Sequence, residues 1–391
     1  MTDTLNSNNE SDEVSIATTV AAVYVFVIGA AVFLILPIFV GALVDFVGLD
    51  DGQAGIVASA ELFGTAVMSI WSFFWIKTWN WRTTVIFMAI LLTAVELLSI
   101  FATSFLPLIV VRFVAGMAAS TLLVIPIAWI ARLPHSARIF AYAVAAEAAF
   151  QVIGVSTLPR VLNGFGIEGL FLSLALLSAI AIAVAFVFMP RSLARKSKDT
   201  GTAKKFFVRS SIAPMLALFG TAVYWVNIGA IWAFIERMAH AGTLSDIVIG
   251  NSLAISLVVG VGGALLASWL SDKYGQLIPL GISQLGQVAA LLLLLLLPIT
   301  HATFLIAVIV YNFCWNFALP YQMAVVARVD FAQRFVVWII AAQSVGDAIG
   351  PGIAGQLTDG RNYDGVVVLA LCCLIASMFL FRSVFAKSIQ V

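Results

Sequence analysis

Twelve stretches of twenty or more mostly apolar residues follow one another along this 391-residue chain, separated only by short polar breaks. An α-helix rises ~1.5 Å per residue, so ~20 apolar residues span the ~30 Å hydrocarbon core of a bilayer. Inside that core every backbone N–H and C=O must find a partner within the protein, which restricts spanning segments to helices or closed barrels. Runs of this length select helices. They fall near 17–44, 53–76, 83–103, 105–131, 138–162, 167–189, 212–239, 246–270, 277–298, 301–326, 334–358 and 364–385. Composition agrees: 62% of residues are hydrophobic and 10% charged, against roughly 45–50% and about 25% in soluble domains. The expected fold class is an all-α integral membrane protein of twelve transmembrane helices.

The polar punctuation divides the chain into a tail (1–16), a six-helix half (17–189), a basic linker (190–211), a second six-helix half (212–385) and a short C-terminus (386–391). The tail carries Asp3, Glu10, Asp12 and Glu13 without Lys or Arg. That is the wrong charge for the n-region of a cleaved signal peptide, and a disordered tail is expected. Of the 20 Lys and Arg, 16 fall on the linker side of the spans, and only Arg160, Arg237 and Arg361 lie opposite. Positive residues flanking spans stay in the cytoplasm, so both termini and the linker are expected there, in a cell membrane of the bacterial inner-membrane type. A net charge of +1 offers no concentrated basic face, and nucleic acid is not an expected partner. Cys314, Cys372 and Cys373 sit inside apolar runs without metal-ligand or paired spacing, and read as small core side chains.

An internal repeat joins the halves. RIFAYAVAAEAAFQVIG (Arg138 to Gly154) aligns with RFVVWIIAAQSVGDAIG (Arg334 to Gly350) at a constant offset of 196. Asp51 with Asp246, Gly55 with Gly250, Pro126 with Pro320 and Arg132 with Arg328 agree within two residues. An even number of spans per half gives the two repeats one orientation, which is the parallel-repeat plan of many carriers.

Three local patterns then resemble the major facilitator superfamily. Ser268 to Gln276, with Asp272, Lys273 and Gly275, is similar to its loop motif G-x-x-x-D-R/K-x-G-R/K. In the first half the equivalent loop ends at Arg82, lacks the aspartate, and offers Asn80, a residue tolerant of left-handed backbone, in place of the glycine. Arg112, Gly116 and Ala119 resemble R-x-x-x-G-x-G/A-A. Gly346, Gly350, Pro351 and Gly355 form a small-residue stripe in the eleventh span that permits close helix contact. The resemblance implies two six-helix bundles around a central cavity, alternating access, a gating function for Asp272, Lys273, Gly275 and Arg82, and no cofactor. The fifth span lacks the Gly-Pro-rich antiporter motif, carrying Glu147, Gln151 and only Gly154; this points to uptake, with a proton-antiporting exporter of drugs or metabolites as the alternative.

Four carboxylates lie more than one helical turn inside a span: Glu61, Glu96, Glu147 and Asp347. An intramembrane carboxylate is costly unless it pairs or takes up a proton, which makes each a candidate for proton coupling. Arg112 lies ~10 Å and Glu61 ~12 Å from the same membrane face along their helices, so they are expected to pair. The repeat aligns Glu147 with Gln343 and Gln151 with Asp347. Each helix thus carries an acid and an amide at i, i+4 on one face, exchanged between halves. Helices at these positions line the cavity in the resembled fold, so these four are expected to bind substrate and protons. Glu96 falls in a span the resembled fold places towards the periphery. Asn227, Asn312, Trp315 and Asn316 are further cavity candidates, and aromatic walls suit an organic solute. Buried acids without obvious bases point to a cationic or zwitterionic one. Three scattered histidines and the lack of a nucleotide-binding or hydrolase motif argue against an enzyme or an ATP-driven pump. The expectation is a monomeric secondary carrier of a small molecule, with the bilayer and protons as its partners.

Overall fold

The protein's computed structural model describes residues 16–76, 78–131, 136–189, 212–329, 335 and 338–388. The expectations for residues 1–15, the linker 190–211 and residues 389–391 fall outside this set. Twelve α-helices and one 3-10 turn make up the described chain: α1 (Ile16–Leu34), α2 (Leu36–Asp45), α3 (Asp51–Trp75), α4 (Trp81–Phe101), α5 (Phe105–Ile130), α6 (Ser136–Phe188), α7 (Ile212–Ala241), α8 (Asp246–Leu270), α9 (Leu277–Leu296), α10 (His301–Val329), α11 (Ile339–Gly355) and α12 (Asp364–Ser388).

Helices and membrane passes do not map one to one. Ten helices are long and apolar enough to cross a membrane. The 53-residue α6 contains two passes, because Gly166 adopts φ 63°, ψ −160° and breaks it; only glycine takes that backbone conformation without strain. α1 and α2 form one pass broken at Ile35, where Pro37 in the first turn of α2 removes a donor from the ladder. With the 17-residue α11 the passes number twelve.

The ends of the helices are written locally. Asp50 caps α3 in a reciprocal box, its carboxylate accepting from Gln53 N at 2.8 Å while Gln53 Oε1 accepts from Asp50 N at 3.3 Å. Asn80 departs from the left-handed expectation. It has φ −75°, ψ 112° and caps α4, accepting from Thr83 N; an amide side chain at a helix start satisfies a free backbone donor.

Packing repeats at the interval the sequence repeat sets. In the first half α3 packs on α5 and α1 on α6; in the second α8 packs on α10 and α7 on α11. Between halves α3 meets α11, α6 meets α8 and α2 meets α7. Two of these contacts are equivalent glycine positions. A Cβ on Gly55 would collide with the Pro351 carbonyl, and one on Gly250 would lie 2.9 Å from the Val155 carbonyl. Gly55 aligns with Gly250, and Val155 with Pro351 at the offset of 196, so one close contact is built twice about a pseudo-twofold axis. Outward faces expose large apolar side chains such as Phe74, Phe101 and Leu106, as a lipid-facing surface requires.

Candidate functional site: a carboxylate-lined cavity between the halves

Arg112 is fully buried and saturated with hydrogen bonds. Its Nη2 and Nε donate to Glu61 at 2.6 and 3.0 Å, its Nη1 and Nη2 to Glu96 at 2.7 and 3.1 Å, and Nη1 also reaches Ser99 Oγ at 3.2 Å. The guanidinium lies over the rings of Phe39 and Phe171, 5.3 and 5.5 Å from their centroids. Glycine makes this geometry accessible. A Cβ on Gly116 would collide with the Glu61 carbonyl and one on Gly64 with the Phe113 carbonyl, so α3 and α5 approach closely enough for the short bidentate bridge. The expected Glu61–Arg112 pair forms. Glu96, placed towards the periphery by the resemblance, is its second carboxylate. Two carboxylates against one guanidinium leave the cluster one positive charge short.

Glu61 and Glu96 reach one side of a cavity of about 210 Å³. Its other walls are residues 28–33 of α1, Ala119 and Leu123 of α5, Glu147 and Leu174 of α6, Trp225 of α7, and Gln343, Ser344 and Asp347 of α11. The exchanged pair from the repeat therefore meets in space: Glu147 comes from one half, Gln343 and Asp347 from the other. Gln151, one turn beyond Glu147, is buried but is not among the residues that line the cavity, so three of the four exchanged residues meet there. Asp347 Oδ1 and Gln343 Nε2 are buried without a hydrogen-bond partner. Asp347 stands against α7, where Gly229 leaves room for its backbone.

Trp315 backs this wall rather than lining it, packing edge-on against Phe33 and Trp225 at 6.4 and 6.0 Å and tilted against Trp232 at 6.2 Å. Trp232 Nε1 donates to the Phe33 carbonyl at 2.9 Å and so ties the halves together behind the cavity. Asn227 accepts from Tyr311 at 3.1 Å. Asn312 donates to Ser256 and to the Val308 carbonyl, both at 3.1 Å, and Asn316 donates to the Asn312 carbonyl at 2.9 Å. The bond to Ser256 and the close approach of Asn316 to Gly260 place Asn312 and Asn316 in the α8–α10 interface.

A second set of charges, seen in the sequence only as a topological signal, closes the end of the cavity away from the linker. Arg237 bridges Asp45 at 2.7 Å and approaches Asp51 at 3.6 Å, while Tyr363 and Thr358 donate to Asp51 Oδ2 at 2.8 and 3.2 Å. Ser59 accepts from Gly352 N at 2.7 Å. His240 sits between Glu236 and Asp246 at 3.0 and 3.5 Å. Each bridge from α2 or α3 to α7, α11 or the segment after it crosses from one half to the other. At the linker end Phe73 packs on Trp338, ring centroids 5.4 Å apart. Asp272 falls in the 3-10 turn Ser271–Tyr274, Lys273 Nζ lies 4.1 Å from the Trp269 ring centroid, and Gly275 has the left-handed φ of 68° that the motif's glycine supplies. Arg82 donates to the Phe186 carbonyl and lies over its ring.

Solved structures share this architecture. The nucleoside transporter NupG superposes with a TM-score of 0.73 at 14% identity, covering 95% of this chain and 98% of its own. A D-xylose-proton symporter superposes at 0.74 and 13% identity, covering 93% and 96%. A bacterial homolog of the human lysosomal transporter Spinster, inward-facing and occupied, gives 0.68 and 16%, covering 96% of each chain. No curated protein sequence matches. The profile of the Major Facilitator Superfamily matches residues 21–351, and with the repeated packing and the cavity between the halves this establishes that the chain belongs to the Major Facilitator Superfamily of transporters.

Proposed function

We propose that this protein is a proton-coupled secondary carrier of a small organic solute, which binds in the cavity between the halves and is exposed to each side in turn. One observation carries the reading: the acid and amide exchanged by the repeat, Glu147 and Asp347 with Gln343, meet in one cavity contributed by both halves. Groups shared by two rocking bodies are those whose surroundings change on each transit. Protons are the coupling ion because the carboxyls are the cavity's ionisable groups, and the Arg112 cluster gains charge balance when it takes one up. Both termini face the cytoplasm in this reading, as the distribution of Lys and Arg requires. The end closed by the Arg237 bridges then faces outward.

Uptake is the direction the sequence favours. Exchange is the second reading, supported by the placement of the carboxyls in the wall of the solute cavity itself, where a proton and a positively charged solute compete for one site. Purified protein in liposomes, offered pooled solutes with and without a pH gradient, is expected to move at least one solute faster with the gradient. The sign of the gradient that accelerates uptake separates the two directions. No movement of any solute under either gradient would remove the carrier reading.

A further inference from the structure

The cavity walls contain four carboxyl groups, Glu61, Glu96, Glu147 and Asp347, and no Lys, Arg or His among the described lining residues. Arg112 stands behind Glu61 and Glu96 with its donors committed to them and to Ser99. Asp347 is 8% exposed, lines the cavity, and has an Oδ1 without a hydrogen-bond partner. Beside it on the cavity wall are the Gln343 amide and the Trp225 indole.

An anionic solute would meet only like charge here. A neutral solute can donate a hydroxyl or amide hydrogen to the Asp347 oxygen but leaves the buried carboxylate's charge unbalanced. A positively charged nitrogen satisfies it directly: its N–H groups donate to the carboxylate, and its charge is favoured by the face of an aromatic ring. A dehydrated metal ion is the wrong occupant, because among the described residues no three His, Cys, Asp or Glu groups converge closely enough to hold one. We infer that the carried solute is an amine, its ammonium group docking on Asp347 beside Gln343 and Trp225, with Glu147 facing it from the other half. This rests on the cavity being the carrier's solute site and holds for either direction of transport.

Purified protein in detergent, scanned for thermal stabilisation against a size-matched series of phenylethylamine, 2-phenylethanol and 3-phenylpropanoate, tests the inference. The amine is expected to bind most tightly, and Asp347→Asn to weaken it at least tenfold. Glu147→Gln, at a half-buried position, is the second variant and is expected to weaken amine binding more than it weakens binding of the alcohol. Tighter binding of the alcohol or the carboxylate, absence of amine binding, or equal amine binding in wild type and both variants would overturn it. Because binding is read without a membrane, the two readings fail separately: amine binding without flux of any solute would sink the carrier reading and leave only an amine-binding cavity. Flux of a neutral solute without amine binding would do the reverse.

Discussion

Replacing Arg112 with methionine is expected to cost the fold about 3–5 kcal/mol, the loss typical when one partner of a buried ion pair is removed. Methionine is unbranched and close to arginine in volume, so the change removes charge and donors more than bulk. Glu61, Glu96 and Ser99 would lose the guanidinium that holds them, leaving two buried carboxylates facing each other. Glu96→Gln makes the contrasting variant. It leaves one guanidinium against one carboxylate, a balanced pair; its amide oxygen still accepts from Nη1 while its NH2 gives up the longer bond from Nη2, so the cost is expected to be that of one hydrogen bond, roughly 1.5 kcal/mol. Thermal melting of the detergent-purified proteins reads both. If the two variants melt together, the cluster is not short of positive charge in the way its composition indicates.

Gly55→Leu is expected to disable transport while the protein still inserts and folds. The Cβ alone would collide with the Pro351 carbonyl across the interface between halves, and that neighbour is backbone, which cannot rotate aside. Overpacking costs roughly 1–3 kcal/mol. In the proposed alternating-access cycle the cost falls only on the state closed at this end, since α3 and α11 would part there in the opposite state. A penalty of that size on one of two states shifts their ratio about 5- to 150-fold. Labelling of a cysteine introduced at Ser59, the partner of Gly352 N, by an impermeant reagent from the linker-distal side should rise accordingly in the Gly55→Leu background. Gly250→Leu, the equivalent position against Val155, is expected to do the same. Unchanged labelling and transport in both would mean that these contacts do not separate during transport.

The spans, the repeat and the Glu61–Arg112 pair were legible because each rests on a one-dimensional quantity: length of apolar run, offset, or depth along a helix. Glu96 was within reach of the same reasoning. It lies five residues from the linker-distal end of α4, ~8 Å deep, level with Arg112, and an arginine with five donors accommodates a second carboxylate. The resemblance to a fold with a peripheral third span outweighed that signal. Asn312 and Asn316 show the opposite limit. α10 is apolar around its whole circumference, so sequence gives no phase to say which side faces the cavity, and the hydrogen bonds to Ser256 and within α10 decide it. The bridges of Arg237 to Asp45 and Asp51 join residues about 190 positions apart. Only the assembly of the two halves brings them together. Asp347 and Glu147 were found because the repeat carried information about the third dimension: residues equivalent under the pseudo-twofold axis face the same central space.

Protons and solute are expected to meet at the carboxyls of this cavity. A pH-sensitive dye trapped inside liposomes containing the protein measures this directly when a transported solute is added without any imposed gradient. The account predicts a pH change that follows solute movement in wild type and is lost in Asp347→Asn and Glu147→Gln. Solute movement without a pH change, or the same change in both variants as in wild type, would contradict it.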